Sequence, residues 1–276
     1  MKNCTIKNDK IEIKFDYDPV LINFIKGLDG QAYNASSKSW FIPLANSFTS
    51  IDKLKQRGFC IEATLLEAIK KDQEKASGSV LLANASDTDF DSPLPLFPYQ
   101  KVGAAFIHKI GSGLLGDEVG LGKTIQALAV CEKTQAQKIL VLCPSSIKFQ
   151  WAEEIKKFIT INNDVVIING TKIKRDKLWK KDHRFYIANY ELLTRDIRAM
   201  DRKWDIIIAD EATRISNPHA KQSKLIKLLR AERRIAMTGT PISNRADEIW
   251  NLIDWIDRGS LGSYWGFLQR YCLKNY

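Results

Sequence analysis

Hydrophobic spacing changes character partway along this chain. Near the amino terminus apolar and polar residues alternate over 4–7 and 10–15, which predicts two short strands meeting at an Asn8-Asp9 turn. Asp18-Pro19 then offers a cap followed by proline at the first helical position, and Leu21, Ile22, Phe24 and Ile25 predict a helix ending near Gly27. A second extended pair is expected over 32–34 and 39–43, around a polar turn at 35–38. Ser50 caps a further predicted helix, which runs through Leu54 and stops at Gly58, and Thr64 opens another that reaches about Asp72. Residues 1–72 thus read as a small α+β domain.

Over 71–95 the periodicity gives way to Asp, Ser, Ala, Gly and Pro, the composition of an interdomain linker (73–95), with local order expected around Val80-Leu81-Leu82. Beyond it, strands over 113–115, 138–143, 164–168, 185–188 and 234–237 alternate with helices over 123–131, 149–158 and after Lys221. Trp204-Asp205-Ile206-Ile207-Ile208-Ala209 adds a run of continuous apolar character, the mark of a parallel strand covered on both faces. This alternation predicts an α/β domain over 96–276, a parallel sheet wrapped by helices.

Two segments carry chemistry. Between a predicted strand and helix stands Gly116-Asp117-Glu118-Val119-Gly120-Leu121-Gly122-Lys123-Thr124, a phosphate-binding loop. Gly120 and Gly122 let backbone N–H groups converge on an anion, the following helix adds its positive end, Lys123 reaches the outer phosphates, and the Thr124 hydroxyl can ligate magnesium. The strict spacing wants glycine where Asp117 stands, so only the looser form is matched. The second segment is the acidic pair Asp210-Glu211 at the carboxyl end of its strand, where open α/β sheets bind ligands. Asp210 is expected to hold magnesium and Glu211 to polarise the water that attacks a γ-phosphate. Loop and acids are expected to converge from neighbouring strand ends around one triphosphate. Gln100, ahead of the loop, can present a donor and an acceptor together to an adenine edge.

Composition narrows the partners. A formal charge of +10 favours a polyanion, since binding one releases counterions. No apolar stretch is long enough to span a bilayer and the amino terminus lacks the core of a secretion signal, so an intracellular protein is expected. The five cysteines lack metal-ligand spacing and read as reduced thiols. His108, His183 and His219 form no metal-like cluster. Lys172 to Lys181 reads as a solvated helix face anchored by Leu178 and Trp179, or as a strip against DNA phosphates. Arg233-Arg234 is open in the same way, and Trp250 and Trp255 share a predicted helix whose spacing argues packing.

Further pieces stand in a fixed order: Leu96-Phe97-Pro98-Tyr99-Gln100, Leu142-Cys143-Pro144-Ser145-Ser146, Gln150-Trp151, Ala188-Asn189-Tyr190-Glu191-Leu192-Leu193 and Met237-Thr238-Gly239-Thr240-Pro241-Ile242-Ser243-Asn244. With that order, the chain from Leu96 onward resembles superfamily 2 helicases and translocases, and within them the Swi/Snf-like ATPases. The resemblance implies a RecA-like first motor lobe that binds ATP and Mg2+ and tracks along DNA, duplex or branched. By position Gln100 matches the adenine-reading glutamine, Gly120 to Thr124 the phosphate loop, and Asp210-Glu211 the catalytic acids. Pro144, Ser145 and Ser146 match a loop that contacts one phosphate strand, and Thr238, Gly239 and Thr240 the segment coupling hydrolysis to DNA grip. Phe15, Tyr17, Leu21, Ile22, Lys26, Tyr33 and 38–44 resemble the HARP domain of annealing-helicase relatives, which contributes to binding structured DNA.

Two departures qualify the resemblance. Thr213 follows Asp210-Glu211-Ala212 where the family usually carries histidine, which bears on coupling. The sequence ends at Tyr276, just beyond Phe267-Leu268-Gln269-Arg270-Tyr271-Cys272-Leu273, where family members lead toward a second RecA-like lobe with arginine fingers, so weak hydrolysis by the isolated chain is expected. A non-catalytic nucleic-acid-binding module and an RNA-directed helicase fragment are the alternatives.

Overall fold

The computed structural model describes residues 2–7, 10–28, 30–44, 47–70, 90–196, 202–242 and 245–272. The expected Asn8-Asp9 turn, the Val80-Leu81-Leu82 segment, Ser243, Asn244 and Leu273 lie outside them, as does the end of the helix expected to reach Asp72. The chain divides into one unit of residues 1–77 with 258–276 and another of 78–257.

In the first unit β1 (Asn3–Lys7), β2 (Lys10–Lys14), α1 (Pro19–Lys26), β3 (Ala32–Asn34), β4 (Ser39–Pro43), α2 (Ser47–Gln56), β5 (Cys60–Ile61) and α3 (63–70) follow in order. The strands form one sheet, β3-β4-β2-β1-β5, antiparallel except that β5 runs parallel to β1. Register decides which face is buried: Cys4 opposes Ile13 and Ile11 opposes Ile42, and all four are fully buried. The Asp18 carboxylate accepts the Val20 and Leu21 N–H groups at 2.8 and 3.2 Å, capping α1, whose Leu21 and Ile25 then reach the core. Ser50 is not a cap. Buried Ser47, Ser50, Ile51 and Leu54 form a helical stripe, so packing starts α2 at Ser47, ahead of the expected position.

The second unit contains α4 (Pro98–Ile110), β6 (Gly113–Leu115), α5 (Lys123–Lys133), β7 (Ile139–Cys143), α6 (Lys148–Phe158), β8 (Val165–Ile167), α7 (Lys172–Lys180), β9 (Phe185–Asn189), α8 (Tyr190–Leu193), β10 (Lys203–Asp210), α9 (Lys221–Ile226), β11 (Arg230–Met237) and α10 (Glu248–Ile256). Its six strands lie in the order β6-β11-β10-β7-β9-β8, every pair parallel. Both faces are covered. Ile206 and Ile208 of β10 join Ile139 and Val141 of β7 in a core with α5 and α6, while Ile207 and Ala209 join Leu140 and Leu142 in a second core containing Trp179, Trp204 and Trp255. This is the α/β arrangement expected, with all strand carboxyl ends on one edge.

Candidate nucleotide site

The glycine loop leaves β6 and enters α5. Gly120 and Gly122 take φ of 89° and 76°, and a Cβ on Gly122 would stand 2.3 Å from the Gln100 amide nitrogen, so this position needs glycine for conformation and for space. Lys123, at the start of α5, curls back and donates through Nζ to the carbonyls of Asp117 and Glu118 at 2.6 and 2.9 Å. Thr124 is half-buried behind it. The Asp117 carboxylate accepts from Gln126 Nε2 at 2.7 Å, tying the loop to the first turn of α5. The departure at Asp117 is therefore accommodated by a side-chain bond.

Asp210 ends β10 and is 9% exposed. Its Oδ2 accepts the Trp151 indole N–H at 2.8 Å, its Oδ1 the backbone N–H of Glu211 at 3.0 Å, and its carbonyl the Tyr190 hydroxyl at 2.8 Å. Burial pushes the Asp210 carboxyl above its usual range; the Trp151 and Glu211 N–H groups pull it back, the Glu211 charge raises it further, and Lys123 lowers it. Glu211 has φ 49°, a left-handed backbone rare for a side-chain-bearing residue, and its carboxylate is exposed.

The two segments meet, though not from neighbouring strands: β6 and β10 flank β11. Parallel strands align their carboxyl ends whether or not they are adjacent, so the loop after β6 and the acids after β10 open into one pocket of about 660 Å³. Gln100, Gly120, Gly122, Lys123, Thr124, Asp210 and Glu211 all line it, with Phe97, Gln150 and Met237 among the rest. Gln100 is 5% exposed and already engaged: Oε1 accepts the Phe97 N–H at 3.0 Å, and Nε2 donates to the Leu121 carbonyl at 3.1 Å and to the Tyr99 hydroxyl at 3.4 Å.

Thr238 to Thr240 and Pro144 to Ser146, expected to act in coupling and DNA contact, do not line the pocket. Thr238 is fully buried, its N–H bonded to the Leu115 carbonyl at 3.2 Å and its hydroxyl accepting from the Thr240 N–H at 3.1 Å. Gly239 lies against the glycine loop, since a Cβ there would come within 3.1 Å of Val119 Cγ2. Pro144 leads out of β7 into a 3₁₀ turn, Ser145–Ile147, on which Ser145 and Ser146 are exposed.

Periodicity did not reveal Trp151, Gln126 or Tyr190 as parts of the site. The signal available was position, with Trp151 one turn into α6 and Gln126 in the first turn of α5. Other features resolve into structure. Arg175 is buried with Nε and Nη2 donating to Asp196 at 2.7 and 2.8 Å, and Trp179 donates to the same carboxylate, so α7 is anchored by these two residues. Arg233 donates to the His108 carbonyl at 2.9 Å, and Trp255 is 2% exposed. Cys4, Cys131 and Cys143 are buried free thiols. Among the described residues no group of three or more His, Cys, Asp or Glu could hold a metal, and no helix is long and apolar enough to cross a membrane.

Residues 33–274 match the family model of the SNF2-related domain. The chain is 28% identical over 282 residues to the SWI/SNF-related matrix-associated actin-dependent regulator of chromatin subfamily A-like protein 1 homolog of Caenorhabditis elegans, covering 96% of this chain and 39% of that protein. It is 31% identical over 182 residues to helicase SWR1 of Cryptococcus neoformans var. neoformans, covering 61% of this chain and only 15% of that protein. Among solved structures, the Sulfolobus solfataricus SWI2/SNF2 ATPase core in complex with dsDNA superposes with a TM-score of 0.60 at 34% identity, over 68% of this chain and 41% of that one. The same core without DNA gives 0.56 at 35% identity, over 67% of this chain and 39% of that one. The chain belongs to the SNF2-related domain family, and its parallel sheet is the RecA-like fold of a Swi/Snf-type ATPase.

Proposed function

We propose that this chain is the ATP-binding and DNA-binding part of an ATP-dependent DNA translocase. The observation that carries the reading is the single pocket into which Lys123, Thr124, Asp210 and Glu211 all open. In it Lys123 exchanges its two carbonyl partners for phosphate oxygens, and the N–H groups around Gly120 and Gly122 with the start of α5 hold the rest of the triphosphate. Glu211, exposed on its left-handed turn, orients the attacking water. Gln100 reads the adenine edge by giving up its longest contact, that to Tyr99.

Magnesium suits the donors present: it accepts oxygen ligands from one or two protein groups and takes the remainder from phosphates and water. The Thr124 hydroxyl and Asp210 carboxylate would hold it, and it would neutralise charge on the triphosphate. Lack of a larger acidic cluster among the described residues fits an ion that arrives with its nucleotide.

Duplex DNA as partner is supported by the charge of +10, by the exposed Ser145-Ser146 turn, and by a similar core solved on dsDNA. The packing of Gly239 on the glycine loop fits Thr238 to Thr240 as the segment that carries nucleotide state toward DNA. We assign the amino-terminal unit a HARP-like role in DNA binding, on the resemblance carried by Phe15, Tyr17, Leu21, Ile22, Lys26, Tyr33 and 38–44. The complete enzyme is read as intracellular, with a second RecA-like lobe supplying arginine fingers.

Titration with a fluorescent ATP analogue tests the reading. Lys123→Ala should weaken binding by at least about 100-fold, on the scale of a lost buried charge contact, whereas Glu211→Gln should bind as the parent does and block turnover. Unchanged affinity in Lys123→Ala would contradict it.

A further inference from the structure

Trp151 has no part in the nucleotide chemistry, yet it touches the residue on which that chemistry turns. The side chain is 2% exposed and lies one turn into α6. Its indole N–H, which can only donate, meets Asp210 Oδ2 at 2.8 Å. The other carboxylate oxygen takes the Glu211 backbone N–H, and the Asp210 carbonyl takes the Tyr190 hydroxyl. Among the described residues, Trp151 is the one side chain that donates a hydrogen bond to the Asp210 carboxylate. Burial alone explains a tryptophan in this core. It does not explain why the polar end points at an acid.

We infer that Trp151 is a positioning residue for Asp210, fixing the rotation of the carboxylate so that its unused lone pairs face the pocket. The inference rests on the nucleotide reading. Without the indole, the carboxylate keeps one backbone N–H and can turn about its terminal bond, a broad torsion with little intrinsic preference. Carboxylates that hold metal ions depend on such outer partners, whose loss costs about 10- to 100-fold in metal affinity. Trp151 also rises from the helix that directly follows the Ser145–Ile147 turn, so one rigid element carries both the turn and the group that orients Asp210.

Trp151→Phe keeps a buried ring and removes the N–H. The parent and variant chains are titrated with mant-ATP in EDTA and again across Mg2+ concentrations, with melting temperatures recorded alongside. The expected result is equal affinity in EDTA within about twofold and a Mg2+ midpoint raised about tenfold or more in the variant. An unchanged Mg2+ midpoint overturns the inference, and so does an equal loss with and without Mg2+, which marks a packing role. A parent chain that binds no mant-ATP in either condition overturns the nucleotide reading and the inference with it.

If Trp151→Phe melts far below the parent, the indole ¹H–¹⁵N resonances of the seven tryptophans replace it. One should move in Asp210→Asn, and the same one on adding Mg2+ to the parent's mant-ATP complex. A spectrum in which none moves contradicts the assignment.

Discussion

Glu12 and Asp210 are buried carboxylates in different units, 4% and 9% exposed, and their surroundings displace them in opposite directions. Burial pushes the Glu12 carboxyl up, but the Ser39 hydroxyl at 2.8 Å and the ammonium groups of Lys14 and Lys7 at 3.2 and 3.9 Å outweigh it, leaving the group below its ordinary 4.5. Burial pushes Asp210 up from 3.8 as well, and there the N–H donors of Trp151 and Glu211 and the charge of Lys123, set against the Glu211 charge, do not reverse it. Glu12 is compensated by its own fold. Asp210 is not compensated by its own surroundings, and buried carboxylates perturbed in this direction cluster at functional sites.

The two sheets differ in the same sense. Antiparallel β1, β2 and β4 carry the core residues Cys4, Ile11, Ile13 and Ile42 on one face, with Glu12 buried on the other, and send successive strand ends in opposite directions, so their loops do not gather. The parallel sheet buries both faces and gathers every carboxyl end on one edge, which is why residues as distant in sequence as Gly122 and Glu211 share a pocket.

Alanine scanning gives the largest effects on this contrast. Ile206, Ile207 and Ile208 of β10 are all fully buried, so each substitution should cost about 2–5 kcal/mol in denaturant unfolding. In β2, Ile11→Ala and Ile13→Ala should cost as much, while exposed Lys10→Ala stays within about 0.5 kcal/mol. An alternating profile in β10 would break the comparison.

Glu12→Ala comes next, at about 1–3 kcal/mol, because it strips a buried hydroxyl of its acceptor. The folded-state pKa of Glu12 is depressed, so its contribution is complete above the ordinary 4.5 and is lost as pH falls through the lower folded value. Thermal melts from neutral pH downward should show a flatter acid limb for Glu12→Gln; if that variant kept the parent's slope, Glu12 would not be the group that titrates. The smallest effect is a gain. Asp210→Asn should raise stability slightly in denaturant unfolding, since it deletes a charge that burial disfavours, and a loss instead would place Asp210 in the same class as Glu12.

Much of this was legible in the sequence where local chemistry decides. Asp18-Pro19 announces α1, and the Ile206-Ile207-Ile208 run announces a strand covered on both sides. The glycine loop and the acid pair stand out as motifs, and they line one pocket. What depended on distant partners was not legible. Trp151 meets Asp210 across 59 positions of chain, and β5 is only two residues long and held by its pairing with β1. β11 begins at Arg230, earlier than expected, because backbone pairing of Lys203 with Arg230 and Trp204 with Ala231 extends it through charged residues that carry no strand signal. Helix α4 escapes a reading by periodicity for a related reason: its buried positions Gln100, Ala104 and Ile107 include a polar residue that lines the pocket.

The most direct measurement is a crystal structure of the chain with a non-hydrolysable ATP analogue and Mg2+. Lys123 Nζ should leave the carbonyls of Asp117 and Glu118 for phosphate oxygens, with the ion between Thr124 and Asp210. Nucleotide bound elsewhere, or bound in this pocket with Lys123 still on those two carbonyls, would contradict the proposed function.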